Sequence, residues 1–225
     1  MLTASHARPP HTAPRRQATV GKSVQTFVLG VGFVLSMAVT VPKAAPARQS
    51  VTWTIDPEHS LAEFTVRHML IANVKGEFDG PTGTVSFDPA RIAETLSISA
   101  SLKAATINTR NPTRDQDLKG PGFFDVTKFP TITFKSKSAT SGPSGHLVVV
   151  GDLTMHGVKR EVTLDVEGPT PSIKDLNGQV RAGATATTTV NRRDFGLLYN
   201  ELLETGAAVV SDQVRISLEI EMTHR

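Results

Sequence analysis

Two adjacent residues of this chain, His59 and Ser60, carry the groups that serine hydrolases use as base and nucleophile. Together with an aspartate they would make a catalytic triad. Many such enzymes hold the serine in a G-x-S-x-G turn between a strand and a helix. Ser60 lies in no such turn, and we expect it to begin a strand. The pattern does not favour hydrolysis, and we predict that the protein is not an enzyme.

The histidines are not spaced as metal ligands. Outside the N-terminal segment they are His59, His68, His146, His156 and His224. They form neither an i, i+4 pair nor an H-x-H pair, the spacings that bring two imidazoles to one ion. Glycines such as Gly80 and Gly83 punctuate turns and form no phosphate-binding loop. We predict no metal and no cofactor other than a bound lipid.

The N-terminal segment differs in composition from the rest of the chain. Residues 1–55 contain no Asp or Glu, and basic residues precede a sixteen-residue apolar run over 26–41. A stretch of small residues, Ala44 to Ala47, follows the run. Basic, apolar and small-residue regions in this order are typical of a secretory signal peptide. An uncleaved anchor helix is the alternative, but the run is shorter than the roughly 20 residues that cross a bilayer.

We predict that residues 1–47 are a signal peptide and leader, cleaved near Ala45 to Ala47, and that 48–225 form the functional domain. Removing 1–47 removes five basic residues, so 19 basic and 21 acidic residues remain, and the net charge changes from +3 to −2. The alkaline character belongs to the leader and indicates no nucleic-acid partner. The absence of cysteine excludes disulfides and thiolate metal sites.

The remaining chain alternates apolar and polar residues between turn signals, a pattern typical of β-strands with one buried face. Phe64 and Val66, for example, alternate with polar neighbours. Nine such segments are predicted, around residues 62–68, 74–78, 83–87, 96–102, 132–134, 147–153, 162–166, 182–190 and 214–220. Many short strands without intervening helices indicate an antiparallel barrel or sandwich.

We favour a barrel of about eight strands, because closure leaves no exposed sheet edge and this size can enclose one small ligand. A packed sandwich is the alternative. A membrane-embedded barrel would also alternate, but its apolar face points outward and its strands need about 9 to 11 residues. Several predicted strands have only about five to seven residues. We therefore expect a barrel with its apolar face inside, not embedded in a membrane.

Two stretches break the alternation. Residues 111–130 begin with a charged sequence suited to a short helix, stopped by a Gly-Pro pair, and continue with Phe123 and Phe124. Residues 194–205 place Leu197 and three further leucines near helical spacing. Both stretches could cover an opening of the barrel as lids, or plug its ends with ordinary core side chains.

Seven pieces of the sequence together resemble one family. They are WTIDPEHS (53–60), FTVRH (64–68), KGEFDGPTGTVSFD (75–88), INTRNPTRDQDLKGPGFFDVTKFPTITFKS (107–136), GDLTMHGVKREVTL (151–164), NRRDFG (191–196) and VVSDQVRISLEIE (209–221). In order and spacing they resemble the YceI-like periplasmic proteins, lipocalin-like barrels that bind polyisoprenoid chains. The resemblance runs from Trp53 to about Glu221, nearly all of the predicted mature chain.

The resemblance implies an all-β fold, an extended antiparallel eight-stranded lipocalin-like barrel with short covering helices. It also implies an apolar internal tunnel and a periplasmic or secreted location. The implied ligand is a long apolar lipid, polyprenyl or quinone-like, held for storage, transport or protection in the cell envelope. We expect a monomer or a homodimer. Two alternatives are an envelope hydrolase using His, Asp and Ser at the barrel mouth, and a ligand-free structural or stress-protective barrel.

Alternation assigns twelve apolar side chains to the inner face, and these are the predicted tunnel lining: Phe64, Val66, Phe78, Val85, Phe87, Ile98, Phe134, Leu153, Val162, Leu164, Ile216 and Leu218. Holding a polyprenyl tail needs a long dry slot and no reactive group. The driving force is apolar area removed from water, at about 25 cal/mol per Å². A small barrel filled completely by these side chains is the alternative.

The candidate residues for a polar head group or a lid are His68, Asn108, Arg110, Arg114, Asp115, Phe123, Phe124 and Leu197. His68 shares the alternation face of Phe64 and Val66, so it could point inward; a satisfied rim histidine is the favoured alternative. For the polar residues of 108–115 the favoured interpretation is structural, a helix cap and a salt bridge between Asp115 and a nearby arginine.

Overall fold

The computed structural model describes residues 49–201 and 209–224. The predicted signal peptide, residues 1–47, lies outside the described residues. Among the described residues, no helix is long and apolar enough to span a bilayer.

The described residues form one antiparallel sheet of eleven strands. The strands are β1 (Val51–Ile55), β2 (Leu61–His68), β3 (Ala72–Phe78), β4 (Thr82–Phe87), β5 (Ser97–Lys103), β6 (Thr131–Ser141), β7 (Leu147–Met155), β8 (Val158–Glu167), β9 (Ile173–Lys174), β10 (Val180–Asn191) and β11 (Val210–His224). Two short α-helices, α1 (Ile92–Thr95) and α2 (Pro112–Lys119), flank β5. Short 3₁₀ turns occupy Ala104–Thr106, Pro143–Gly145 and Arg192–Phe195.

The sheet closes into a barrel because β11 has partners along both edges. β10 pairs over its own whole length with one edge of β11, from Val180↔His224 to Asn191↔Gln213. Along the other edge β2 and β1 pair one after the other. β2 also pairs with β3, and β1 with β4. β1 and β2 share one position in the wall, and β3 and β4 share the next, so the closed wall has eight strand positions. The predicted eight-stranded barrel is confirmed, and the sandwich is excluded.

The strands form where apolar side chains alternate with polar ones. In β8, Leu164 and Val166 are buried, whereas Thr163, Asp165 and Glu167 are exposed. The polar side chains of β8 thus face the solvent and the apolar ones the interior, as predicted, and the reverse of the arrangement in outer-membrane barrels.

Several strands have the predicted five to seven residues, namely β3, β4 and β5, but others are longer. β6, β7, β8, β10 and β11 have 11, 9, 10, 12 and 15 residues, not five to seven. Strand length therefore gives no argument against a membrane barrel. That argument rests on the orientation of the side chains, with the apolar ones inside and the polar ones outside. The sequence also did not predict β1 or the two-residue β9.

Residues 104–130 cross the barrel between β5 and β6. Asn108 exchanges two 2.9 Å backbone hydrogen bonds with Glu77 of β3, and Ala104 donates to the carbonyl of Pro130. The predicted short helix is present as α2, which begins after Asn111, whose side chain accepts from the backbone N–H of Arg114. It ends at Gly120, as the sequence indicated.

The second interruption differs from its prediction. Residues 192–195 form a single 3₁₀ turn that ends at Gly196 in the left-handed conformation, with φ of 79°. Residues 197–201 form no helix despite the leucine spacing, and 202–208 lie outside the described residues. Phe195 and Leu197 are buried, while Leu198 is exposed. Two buried anchors separated by a glycine thus replace a helical face.

Candidate functional site

The barrel encloses a cavity of about 450 Å³. The lining residues come from strands all round the barrel and from the 104–130 segment, and they are mainly apolar. All twelve side chains predicted to face inward line this cavity: Phe64, Val66, Phe78, Val85, Phe87, Ile98, Phe134, Leu153, Val162, Leu164, Ile216 and Leu218. The interior is therefore hollow, not filled by these side chains. Their role in binding a ligand stays a prediction.

Two glycines keep aromatic rings against the cavity wall. A Cβ added at Gly76 would lie 2.3 Å from Cζ of Phe64, its direct cross-strand partner. A Cβ added at Gly151 would lie 2.4 Å from Cζ of Phe134. Each ring thus occupies the space where a side chain would otherwise begin. The sequence analysis missed this role, although a glycine inside a strand is a signal of close approach.

One end of the cavity is covered by aromatic side chains from the two interrupting stretches. The rings of Phe123 and Tyr199 lie 4.7 Å apart, and Phe124 meets Phe78 edge-on at 5.7 Å. Phe123, Phe124 and Tyr199 all line the cavity, as does Leu197. We call Phe123, Phe124 and Tyr199 the aromatic lid. The two stretches, predicted either to cover an opening or to plug the barrel end, meet there, and their role as a lid stays a prediction.

The polar residues near the lid serve mainly to hold its backbone. Oδ1 of Asp115 accepts from the backbone N–H of Thr109 at 2.8 Å and from its hydroxyl at 2.5 Å. The Arg114 guanidinium donates to the same hydroxyl and to the Thr109 carbonyl, both at 2.8 Å. The predicted salt bridge between Asp115 and an arginine is therefore wrong, because the carboxylate is bonded to Thr109. The helix cap is Asn111, not Asp115.

Of the predicted head-group residues, the structure brings only some to the cavity. His68, at the end of β2, and Arg114 line it, whereas Asn108, Arg110 and Asp115 do not. The side chain of Asn108 instead contacts Glu77 and accepts from the backbone N–H of Arg110. Asn108 and Arg110 thus belong to the loop that leads into α2.

Arg192 is a buried cation that the sequence analysis missed. Its guanidinium donates to the carbonyls of Leu197 at 2.7 Å and Tyr199 at 2.6 Å, and to the Asp212 carboxylate at 3.0 Å. Burial lowers its pKa, and the charge of Asp212 opposes that shift. Arg192 ties the backbone of the lid residue Tyr199 to the start of β11. The only sequence signal for Arg192 is its position in the NRRDFG motif, and the motif does not distinguish Arg192 from Arg193.

The model of the YceI-like domain matches residues 53–222, which is most of the chain. The chain belongs to the YceI-like family. It is 36% identical over 171 residues to a UPF0312 protein of Staphylococcus aureus strain N315, an alignment that covers 76% of this chain and 96% of that protein. Two further UPF0312 proteins of this species, from strains RF122/ET3-1 and MSSA476, are 36% and 35% identical.

Solved structures share the fold of this YceI-like chain. The Campylobacter jejuni YceI protein is 30% identical with a TM-score of 0.58, over 70% of this chain and 89% of that one. BcnA of Burkholderia cenocepacia is 22% identical with a TM-score of 0.62, over 74% and 98%. A polyisoprenoid binding domain from Saccharophagus degradans is 14% identical with a TM-score of 0.54, over 78% and 99%. The last two likenesses show the fold alone.

The contacts of the YceI-like chain do not assemble a triad at His59 and Ser60. His59 Nδ1 lies 2.9 Å from the Asp56 carboxylate. The Ser60 hydroxyl instead donates to the backbone carbonyl of Glu221 and accepts from its N–H at 3.0 Å. Ser60 lies in the β1–β2 turn, directly before β2, so this hydroxyl joins the turn to β11 and is not paired with His59.

One cluster of possible metal ligands exists in the described part of the YceI-like chain, at Asp56, His59 and Glu221. Arg181 already donates to the carboxylates of Asp56 and Glu221. The hydrogen bond from His59 and, to a lesser degree, that from Arg181 lower the pKa of Asp56, and Asp56 raises that of His59. Since Arg181 supplies the positive charge that an ion would bring, the cluster ties the β1–β2 turn to β10 and β11.

Proposed function

We propose that this YceI-like protein binds a long apolar lipid of isoprenoid type, polyprenyl or quinone-like, inside its barrel. The observation that carries the proposal is the cavity of about 450 Å³ with apolar walls in a closed barrel. Pockets of a few hundred Å³ with apolar walls are typical ligand sites. The neighbouring structure described as a polyisoprenoid binding domain supports the choice of lipid.

The energetics of such binding need no reactive group. A hydrocarbon tail that loses a few hundred Å² of apolar surface to the cavity gains of the order of 10 kcal/mol before the loss of translational freedom. Burial of apolar surface can therefore drive binding without any hydrogen bond. In this proposal a polar head group would contact His68 and Arg114, which line the cavity at its lid end.

We infer that the protein stores, transports or protects this lipid in the cell envelope. The basis is the predicted signal peptide over residues 1–47, which directs the chain to the periplasm or the exterior. In this proposal the barrel works without catalysis, as a monomer or a homodimer.

Native mass spectrometry of protein purified under mild conditions, followed by lipid extraction, tests the proposal. We expect a co-purifying lipid of isoprenoid type and, after its removal, uptake of a fluorescent polyene. Protein that carries no lipid and takes up no polyene would show that the cavity does not serve as a lipid site.

Two neighbouring residues of β8 provide a matched pair of variants. Val162 lines the cavity, whereas Thr163 is exposed on the outer face of the same strand. We expect Val162→Trp to abolish polyene uptake, because the indole fills space that the tail needs, at a stability cost of about 1–3 kcal/mol. Thr163→Trp should retain uptake. Equal uptake by the two folded variants would place the lipid outside the cavity.

A further inference from the structure

The turn between β2 and β3 exposes three consecutive apolar side chains. Leu70 is 62% exposed, Ile71 76% and Met69 38%. Turns normally carry Gly, Asn, Asp or Ser, and exposed apolar groups that cluster mark interaction sites. Met69 and Leu70 also have positive φ, 48° and 63°, a backbone conformation that is unusual for such residues. We call Met69, Leu70 and Ile71 the apolar tip.

The apolar tip has a defined shape. The backbone N–H of Met69 donates to the carbonyl of Val209 at 2.8 Å, and that of Ile71 to His68 at 3.0 Å. The Arg67 guanidinium donates to the carbonyl of Leu70 at 3.1 Å. The backbone is thus held in a turn whose side chains stand outside the barrel.

The tip lies at the lid end of the cavity. His68, immediately before it, lines the cavity. Val209, which accepts from Met69, donates its own N–H to the carbonyl of Glu201, two residues after the lid residue Tyr199. Tyr199 is itself 43% exposed, and Leu198 beside it 59%. Exposed apolar side chains are therefore present both at the tip and at the lid.

Basic side chains flank the tip on the outer wall. Lys75 of β3 and Arg215 of β11 are both register partners of Thr65 in β2, so the two lie in one row. Arg67 lies two residues further along β2 on the same face, nearer the tip. All three are exposed. We call Arg67, Lys75 and Arg215 the basic face. Glu63 and Glu77, which pair with each other, lie farther from the tip than the basic face. Two acidic residues, Glu201 and Asp212, lie at the lid end, and Asp212 is bonded to Arg192.

We propose that the apolar tip docks the lid end of the barrel on an anionic phospholipid bilayer, with the basic face against the head groups. Apolar side chains inserted at the interface and basic residues near anionic lipids are the two forces that hold proteins on such surfaces. The purpose of the docking rests on the proposed function, since an isoprenoid lipid insoluble in water is collected from a bilayer and returned to one. The lid would then open toward the membrane.

Site-specific fluorescence in the full chain tests the docking. The chain contains no cysteine, so Leu70→Cys and Leu176→Cys each introduce a single labelling site for a nitrobenzoxadiazole fluorophore. Leu176 is a matched control, because it is fully exposed in the turn between β9 and β10. That turn lies at the other end of the barrel, since Val180 pairs with His224 whereas His68 pairs with Val210.

On vesicles containing phosphatidylglycerol we expect the fluorophore at position 70 to shift to shorter wavelength and to be quenched by nitroxide-labelled lipids. The fluorophore at position 176 should keep the emission of a water-exposed group, with no quenching by nitroxide-labelled lipids, with and without vesicles. The signal comes from position 70 itself, so attachment of another part of the chain to the vesicle does not imitate it.

Charge reversal tests the basic face separately. We expect Lys75→Glu and Arg215→Glu each to weaken docking by about tenfold, because each removes one favourable charge and adds a repulsive one. Added salt and pure phosphatidylcholine vesicles should also weaken it. Lys174→Glu, at an exposed position of β9 at the other end of the barrel, is the control and should dock normally.

A position-70 fluorophore that reports water on anionic vesicles, or equal responses at positions 70 and 176, would overturn the docking. So would shielding of position 70 without vesicles as the protein concentration rises, which would assign the tip to a second copy of the chain. Polyene uptake from detergent solution is measured in parallel. Polyene uptake without insertion of position 70 would contradict the docking and leave the proposed function standing. Insertion without uptake would contradict the proposed function and leave the docking standing.

Discussion

Gly76 and Gly151 determine how much of the barrel interior stays empty. Each sits under an aromatic ring, that of Phe64 or that of Phe134, and a Cβ at either position would overlap the ring. The ring lies flat on the backbone of the wall because the glycine has no side chain. Both aromatic residues line the cavity. The size of the slot thus depends on residues that themselves contribute no surface to a ligand.

We therefore expect Gly76→Ala to push the Phe64 ring into the cavity and to reduce polyene affinity, at a stability cost of about 1–3 kcal/mol. The double variant Gly76→Ala with Phe64→Leu should recover binding, because the shorter side chain ends before the clash. Gly183→Ala in β10 is the control, since its Cβ would meet its nearest neighbour at 3.6 Å. Titration with the polyene and thermal unfolding measure the two effects. Unchanged binding by Gly76→Ala would show that the ring position does not limit the slot.

At the level of the element, the 104–130 segment is packed unevenly: Ala104 and Ile107 are buried in the core, whereas the loop and helix α2 after them are anchored by polar contacts. Thr109 is buried, and its backbone N–H has the Asp115 carboxylate as partner. Helix α2 contains no buried residue. An element anchored at a few polar points and weakly packed elsewhere opens at lower free energy than the strands it covers. Helix α2 is thus suited to open for a ligand while the barrel stays closed.

Asp115→Ala tests this anchoring. The variant leaves the buried N–H of Thr109 without its acceptor, at a cost of about 1–3 kcal/mol. We expect faster amide hydrogen exchange over 107–119 and faster release of bound polyene, with unchanged exchange in β7 and β8. Gln116→Ala, at an exposed position of α2, should exchange as the unchanged protein does. Faster exchange across the whole barrel in Asp115→Ala would contradict a local opening.

Alternation predicted the inward face of the strands, and two of the incompletely predicted strands have a backbone bulge. In β6 the register shifts between Ser136 and Ser138, and only residues 132–134 of its eleven were predicted. In β11 it shifts between Val210 and Val214, and the prediction began at 214. An extra residue changes the face on which later side chains lie, so the period of two fails there.

Alternation also determines which parts of the candidate site could be predicted from the sequence and which could not. The inward-facing apolar residues follow from alternation, and all of those predicted line the cavity. The empty space between them does not follow, because it depends on the diameter of the barrel and on contacts such as that of Phe64 with Gly76. Arg192 was missed since its partners are mainly backbone carbonyls brought together by the fold.

At the scale of the whole molecule, the eight strand positions hold a cavity open although its lining would gain dispersion contacts by closing on it. Residues such as Val162, Ile216 and Leu218 face inward and yet remain only half-buried. A ligand in the cavity would cover the exposed surface that these side chains retain. It can do so in the folded state only, because the unfolded chain has no cavity. Ligand binding and folding are therefore linked, and the stability of the barrel must depend on whether it is loaded.

We expect a bound lipid or polyene at 100 times its Kd to stabilise the folded state by about 2.7 kcal/mol, which raises Tm by about 5–10 °C for a chain of this size. Scanning calorimetry of delipidated protein at increasing ligand concentration measures the shift. Val162→Trp should unfold at a Tm that the ligand does not change, because the indole already occupies the site, and Thr163→Trp should respond as the unchanged protein does. The same rise in both variants would mean that the ligand stabilises the barrel from outside, and the hollow interior would then have another use.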